Sequence, residues 1–262
     1  MNNKQQAEIH ASAIIDPAAR LADDVSVGPY AIIGAGVEIE SGTSIGPHAV
    51  INGPTRIGRD NRIHAHVSLG DAPQDLGYRG EETRLEIGDR NTIREFVSIH
   101  RGTPKDRALT TVGNDNLFMV QSHVGHDCII GDNVIMANCV NVGGHVVVED
   151  RANIAGTVAI HQFTRIGRLA MIGGGSIVLR DIPPFMLANG NSAKLFGLNR
   201  RGLQRAGFDA DGIADLKRAY KILYRSGLPL AEAIRQLSEA PQSAAVKELL
   251  NFMQPSKRGF SR

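Results

Sequence analysis

Large aliphatic residues recur every six positions along most of this chain. Ile9, Ile15, Leu21, Val27, Ile33, Ile39, Ile45, Ile51, Ile57, Ile63 and Leu69 form an unbroken run. The phase returns at Ile87, Ile93 and Ile99. It then resumes one residue later at Val112, Phe118, Val124, Ile130, Met136, Val142, Val148, Ile154, Ile160, Ile166, Ile172 and Val178. Six residues of α-helix turn the chain by roughly 600°, which scatters such a series over several faces and leaves no apolar stripe. Six is a multiple of the strand period of two, so every member of the series points to one side of a short extended segment. Glycine often follows the aliphatic (Gly28, Gly34, Gly46, Gly58, Gly88, Gly113, Gly131, Gly167), and the fourth residue after it is usually small or β-branched (Ala13, Ala19, Val25, Ala31, Val37, Thr43). One flat strand and one corner per hexad is the hexapeptide β-helix pattern, three strands closing a triangular coil of about 18 residues. The spacing predicts an all-β prism of about nine or ten coils, roughly 45 Å tall.

Two stretches leave the pattern, near residues 70–86 (GDAPQDLGYRGEETRLE) and 100–111 (HRGTPKDRALTT), and loops held on a rigid scaffold are favoured places for function. After Val178 the repeat stops at Asp181-Ile182-Pro183-Pro184. Ile213, Leu216, Tyr220, Leu223 and Tyr224 then lie at helical spacing, with Asp209 or Asp211 as N-cap and Gly227 as stop. Further helices are predicted near Leu230 to Leu237 and Ser243 to Met253. The division read from this is a β-helix over residues 1–186 and a C-terminal helical domain over 187–262 that closes one end of the prism.

Composition sharpens this picture. Aromatics are 5% of the 262 residues, tryptophan is absent and glycine reaches 29, so the core is built from aliphatics. The net charge of +2 conceals a split, with 13 Lys+Arg against 6 Asp+Glu from Leu187 to Arg262 and 16 against 21 before it. A basic segment on a mildly acidic body favours anionic partners. No nucleic-acid-binding motif accompanies it. No stretch approaches the ~20 apolar residues of a membrane span. Met1 to Ile15 carries Asn2, Asn3, Gln5 and Gln6 where a signal peptide needs an apolar run, so the chain reads as soluble and cytoplasmic. Cys128 and Cys139 fit a reducing compartment, Cys128 as a small inward residue rather than a nucleophile.

Histidines cluster at His123, His126, His145 and His161. With a coil of about 18 residues, His126 lies near Gly144 and Gly144 near Gln162. Imidazole is the usual proton acceptor at neutral pH, Asp127 is placed to fix the tautomer of His126, and Gly143-Gly144 offers bare main-chain N–H groups. The run His-x-x-His-Asp also suits zinc, an alternative the residues themselves leave open. Gly173-Gly174-Gly175 lacks the Lys-Ser/Thr of a phosphate loop and instead leaves an apolar slot.

The strings IGRDNRI, PQDLGYRGEETRLEIGDRNTIRE, IHRGT, SHVGHDC, GGHV, AIHQF, DIPPF and GLQRAGF with AYKILYRSG follow one another in that order. Over essentially the whole chain they resemble the UDP-N-acetylglucosamine O-acyltransferase family of lipid A biosynthesis. The resemblance implies a left-handed parallel β-helix, a handedness that hexad spacing alone does not supply and that opposes the right-handed crossover rule. It implies a homotrimer with active sites between subunits. The implied reaction moves an (R)-3-hydroxyacyl group from acyl carrier protein to the 3-hydroxyl of the UDP-sugar, without metal or any cofactor beyond the carrier's phosphopantetheine. His126 is implied as general base, Asp127 as its orienting partner, and the Gly144 N–H as the oxyanion donor. Asp75, with Gln74 beside it, is implied at the sugar. His123, His145, His161 and Gln162 are implied at sugar, acyl linkage or nucleotide, and Asn199 and Arg205 at the uridine diphosphate. Gly174 matches the place where a large side chain shortens the acyl slot in some relatives, so a longer hydroxyacyl chain is expected. Two positions depart from the family: Gly77 stands where a lysine is common, with Arg79 nearby as a substitute, and Ala206 replaces a second basic residue. These departures keep open a 3-amino acceptor giving an amide, beside a third reading as a non-catalytic scaffold. The acidic carrier protein suits the basic tail, with Arg165 and Arg168 as docking cations.

Overall fold

The computed structural model describes residues 8–253 and 256–261. Between Ile14 and Val178 short strands alternate with corners and stack into three sheets, which contain nine, eight and ten strands, the last sheet taking two strands from beyond Val178. The winding is a left-handed parallel β-helix. Ile32 pairs with Val50 and Val50 with Ser68, steps of one 18-residue coil. Ser68 then pairs with Ser98 and Ser98 with His123, steps of 30 and 25. The two excursions therefore add twelve and seven residues to their coils. Seven exceeds a hexad by one, which is why the repeat resumes out of phase at Val112.

Both inward positions of the hexad are buried, as at Val27, Ile33 and Ile51 with Val25, Ala31 and Ala49. Cys128 belongs to this core, and burial pushes its thiol up to about 12. Across the interrupted coils the fourth position is Asn61, Asn91 and Asn116, all buried. The Asn91 backbone N–H and side-chain amide donate to Asn61 Oδ1 (2.9 and 3.0 Å), and the Asn116 N–H donates to Asn91 Oδ1 (3.0 Å). A buried, paired amide fixes register more strictly than a methyl group does, and it does so where the loops would let the rungs slip. Ile9 departs from the pattern. It is 54% exposed, because no described rung lies beneath it.

Beyond Val178, the strand Met186–Asn189 joins the ten-stranded sheet and Lys194–Leu198 pairs antiparallel to it. Four helices follow: α1 (Arg200–Arg205), α2 (Ala210–Arg225), α3 (Leu230–Glu239) and α4 (Ala244–Phe252). The Gly212 N–H donates to the Asp209 carboxylate (2.7 Å), starting α2, and Gly227 lies just past its end with φ 78°. The six-residue α1 is too short to show a hydrophobic period; it begins where Asn199 accepts from the Gly202 N–H at 3.0 Å. Among the described residues no helix is long and apolar enough to cross a membrane.

The last rungs are fastened to α4. Arg168 grips both oxygens of Glu248 (2.6 and 2.7 Å). Arg165 pairs with Asp181 (2.9 Å) and donates to the Phe252 carbonyl (2.8 Å). These arginines are seam fasteners rather than free docking cations, which corrects the expectation above. Arg168→Glu would set two carboxylates against each other. Because the pair keeps 28% and 35% side-chain exposure, the expected cost is about 1–3 kcal/mol, below that of breaking a fully buried pair. Thermal unfolding should show a drop of roughly 3–10 °C, partly recovered by Arg168→Glu/Glu248→Arg. A single variant that melts like the parent would remove the seam from the stability of the fold.

Candidate active site

The site forms where the nine-stranded sheet turns into the eight-stranded one, between strands His123–Val124 and Ile129–Ile130. Successive rungs place residues 125–128, 143–146 and 161–164 at this corner. One column is therefore His126, Gly144 and Gln162, and the next is Asp127, His145 and Phe163. Rung-to-rung hydrogen bonds hold the columns, the His145 N–H donating to His126 O (2.9 Å) and the Phe163 N–H to Gly144 O (3.1 Å). Asp127, His145 and Phe163 all take the left-handed conformation (φ 59°, 59° and 64°). That region is costly for L-residues, and the ladder around them enforces it.

His126 Nδ1 lies 2.8 Å from Asp127 Oδ2. Thr103, on the second excursion, donates its N–H to Asp127 Oδ1 (2.9 Å) and its hydroxyl to Oδ2 (2.7 Å). Burial opposes the charge on Asp127, but the bonds from His126 and Thr103 outweigh it and hold the carboxyl below the usual range. An ionised Asp127 keeps the proton on Nδ1 and leaves Nε2 as a proton acceptor. A Cβ built on Gly144 would stand 2.7 Å from that Nε2. The Gly143 and His145 N–H groups donate to Ile160 O and His126 O, whereas among the described residues the Gly144 N–H between them donates to nothing. A proton acceptor and an unengaged amide thus share one space, which is the equipment for acyl transfer.

His126, Asp127 and His145 bring their ligand atoms within 4.8 Å of one another, the spacing of a metal site. Both Asp127 oxygens already accept hydrogen bonds, and His145 turns Nδ1 to Asp106 (3.2 Å). The His145 ring lies edge-on to His126 (5.1 Å) and stacks on Phe163 (4.4 Å).

A cavity of about 420 Å³ is lined by Gln74, His100, His123, His126, Gly144 and Gln162 among others. His123 accepts or donates at Ser98 Oγ (2.8 Å), and burial pushes its imidazole down to about 4. His100, edge-on to His123 at 5.0 Å, is lowered by burial too. Histidine spacing does not single out His100, which opens the second excursion; the available signal is that Ile99 pairs with Val124, setting His100 one rung below Gly125.

Asp75 borders this region. Lys105 Nζ reaches both its oxygens (2.8 and 2.7 Å) and the Gly77 N–H donates to Oδ1 (2.6 Å), holding the carboxyl below its ordinary value. A cation is therefore present despite Gly77, and it is not Arg79, whose guanidinium turns to the carbonyls of Leu76 and Tyr78 (2.7 and 3.1 Å). Spacing alone could not find Lys105, Thr103 or Asp106, because all three ride on an excursion.

His161 sits in the column of Gly125 and Gly143, which line the His126 cavity with Gln162, and its Nδ1 lies 3.0 Å from Gln162 O. Asn199 and Arg205 line a separate cavity of about 750 Å³ with Arg151, Arg200 and Arg201, on the ten-stranded sheet. Gly174 stands above Gly156, where an added Cβ would meet Gly156 O at 3.4 Å and Ala155 Cβ at 3.9 Å, so a side chain has room there.

Comparison with known proteins matches this architecture. The family model described as Udp N-acetylglucosamine O-acyltransferase, domain 2, matches residues 181–261. The bacterial transferase hexapeptide model matches residues 36–71 and 109–144. The acyl-[acyl-carrier-protein]–UDP-N-acetylglucosamine O-acyltransferase of Thiobacillus denitrificans is 52% identical, covering 98% of this chain and 100% of its own. That of Paraburkholderia phymatum is 49% identical with the same coverage, 98% and 100%. The solved structure of UDP-N-acetylglucosamine O-acyltransferase from Moraxella catarrhalis superposes with a TM-score of 0.95 at 43% identity, covering 97% of this chain and 99% of that one. Half its residues shared over nearly the full length, with both solenoid and second domain present, this chain belongs to the UDP-N-acetylglucosamine O-acyltransferase family.

Proposed function

We propose that this protein transfers an (R)-3-hydroxyacyl group from acyl carrier protein to the 3-hydroxyl of UDP-N-acetylglucosamine, the first step of lipid A biosynthesis, in the cytoplasm. The observation that carries this reading is His126 Nε2 beside Gly144, whose N–H donates to nothing among the described residues. The sugar 3-hydroxyl gives its proton to His126 Nε2 as its oxygen bonds to the thioester carbonyl carbon. Asp127 stabilises the imidazolium, and the Gly144 N–H donates to the developing oxyanion, a contact of ~3 kcal/mol in comparable sites. Collapse breaks the C–S bond, and the departing phosphopantetheine thiolate takes the proton back from His126. The step as proposed draws on no metal.

Gln74 and Asp75 hold the sugar, with His123, His145 and Gln162 along the bound acceptor and acyl linkage. Asn199 and Arg205 hold the diphosphate side. In one chain these last two open on a different sheet from His126, so a sugar nucleotide seated at His126 meets them from a neighbouring copy. That geometry supports a homotrimer with its sites between subunits. A 3-amino acceptor rests on a missing cation, and Lys105 supplies one at Asp75, so the site retains the hydroxyl.

The test is to incubate the protein with acyl carrier protein thioesters of graded length and with 3-hydroxy and 3-amino UDP-sugars, and to weigh the products. An ester on UDP-N-acetylglucosamine is expected. Amide alone would overturn the acceptor, and no transfer from any thioester would leave the scaffold reading. Gly174→Met should shorten the preferred acyl chain by several carbons, since each methylene denied burial forfeits ~0.8 kcal/mol. An unchanged length profile would remove Gly174 from the acyl slot.

A further inference from the structure

The two excursions meet at one ion pair. Lys105 of the second places Nζ 2.8 and 2.7 Å from the two oxygens of Asp75 in the first. The same second excursion grips the catalytic corner on both sides of Lys105, through Thr103 to Asp127 and through Asp106 to His145. Lys105 is thus carried on a segment whose position the dyad itself fixes. The space it occupies belongs to residue 77. A Cβ built on Gly77 would lie 2.6 Å from Lys105 Nζ, 3.1 Å from its Cε and 3.0 Å from Asp75 Oδ1. The Gly77 backbone is outside the left-handed region, so the main chain accepts a side chain there, and the nearest obstacle is the Lys105 ammonium, with Asp75 Oδ1 next. Asp75 keeps 17% side-chain exposure, and its neighbour Gln74 lines the His126 cavity, so the pair sits at the rim through which an acceptor enters.

We propose that Lys105 is the positioning cation of the acceptor subsite, holding Asp75 against the sugar nucleotide from the second excursion in a place that is free only because residue 77 is glycine. The inference rests on the acyl-transfer reading above and adds to it a residue that determines acceptor affinity. Two consequences follow from the geometry. Losing the ammonium weakens the hold on the sugar nucleotide while His126, Asp127 and Gly144 stay intact, so the loss falls on KM rather than kcat. An ammonium brought from position 77 meets the same carboxylate, so it replaces Lys105 but does not coexist with it.

The experiment is a double-mutant cycle in steady-state kinetics on the full chain, varying the sugar nucleotide at saturating acyl carrier protein thioester and then the reverse. Lys105→Ala is expected to raise KM for the sugar nucleotide about tenfold, with kcat and the donor KM within about twofold. Gly77→Lys alone should also raise that KM, because two ammonium groups compete for one carboxylate. Gly77→Lys/Lys105→Ala should return KM to within about threefold of the parent. An active Lys105→Ala enzyme with an unchanged KM would show the pair to be an idle surface contact and overturn the proposal. A loss in kcat that Gly77→Lys fails to rescue would overturn it too, since Lys105 would then act by bracing the second excursion. A parent protein that transfers no acyl group fails the acyl-transfer reading instead, before Lys105 is tested.

Discussion

His126→Ala is expected to lower kcat by ~10²–10⁴-fold, the range for loss of a general base. No neighbour replaces it well. His123 has been pushed down to about 4 by burial, which makes it a feeble proton acceptor at neutral pH, and burial lowers His100 in the same direction. His145 is the nearest substitute, its Nε2 3.7 Å from Asp127 Oδ2, but its other nitrogen is turned to Asp106. Asp127 sits below the usual carboxylate range and so stays ionised as pH falls through 6 and 5. The acid limb of the kcat profile should therefore not carry a carboxylate titration. A His126→Ala enzyme with more than a tenth of parental kcat would move the base to His145, and His145→Ala in that background would show it.

Gly144→Ala should come close to the same loss without removing any functional group. Its methyl would lie 2.6 Å from His126 Cε1, 2.7 Å from Nε2 and 3.1 Å from Nδ1. The ring's Nδ1 is tied to Asp127, and the ring stands perpendicular to that of His145. Either the imidazole leaves the dyad or the main chain shifts and takes the amide with it, and both disrupt the alignment of base and oxyanion donor. We expect kcat to fall ~10²-fold or more, against an overpacking cost of only about 1–3 kcal/mol in stability. Measured side by side, activity and thermal unfolding should separate. Near-parental kcat would mean that the amide and the imidazole do not act on one carbon.

The solenoid was legible because it is a local property written many times. Each hexad carries its own inward aliphatic, and parallel stacking turns a spacing of 18 into vertical contact, so His126, Gly144 and Gln162 follow from counting alone. Helix α2 was legible for the same reason, through Leu216, Tyr220 and Leu223. Counting fails where the chain leaves the lattice. Thr103, Lys105 and Asp106 reach Asp127, Asp75 and His145 from 24, 30 and 39 residues away by paths no period describes. The charge of Arg168 looked available from composition, yet Glu248 claims it across 80 residues.

Repetition therefore settled, before any coordinates, the coil, its phase slip and the columns at the catalytic corner, since a strand's inward parity depends only on neighbours in the chain. Tertiary structure alone decided which carboxylates are clamped, which histidines burial pushes down, and that Asn199 and Arg205 face another sheet. Those outcomes depend on desolvation and on contacts between segments of irregular length, and neither quantity is carried by the residues that undergo it.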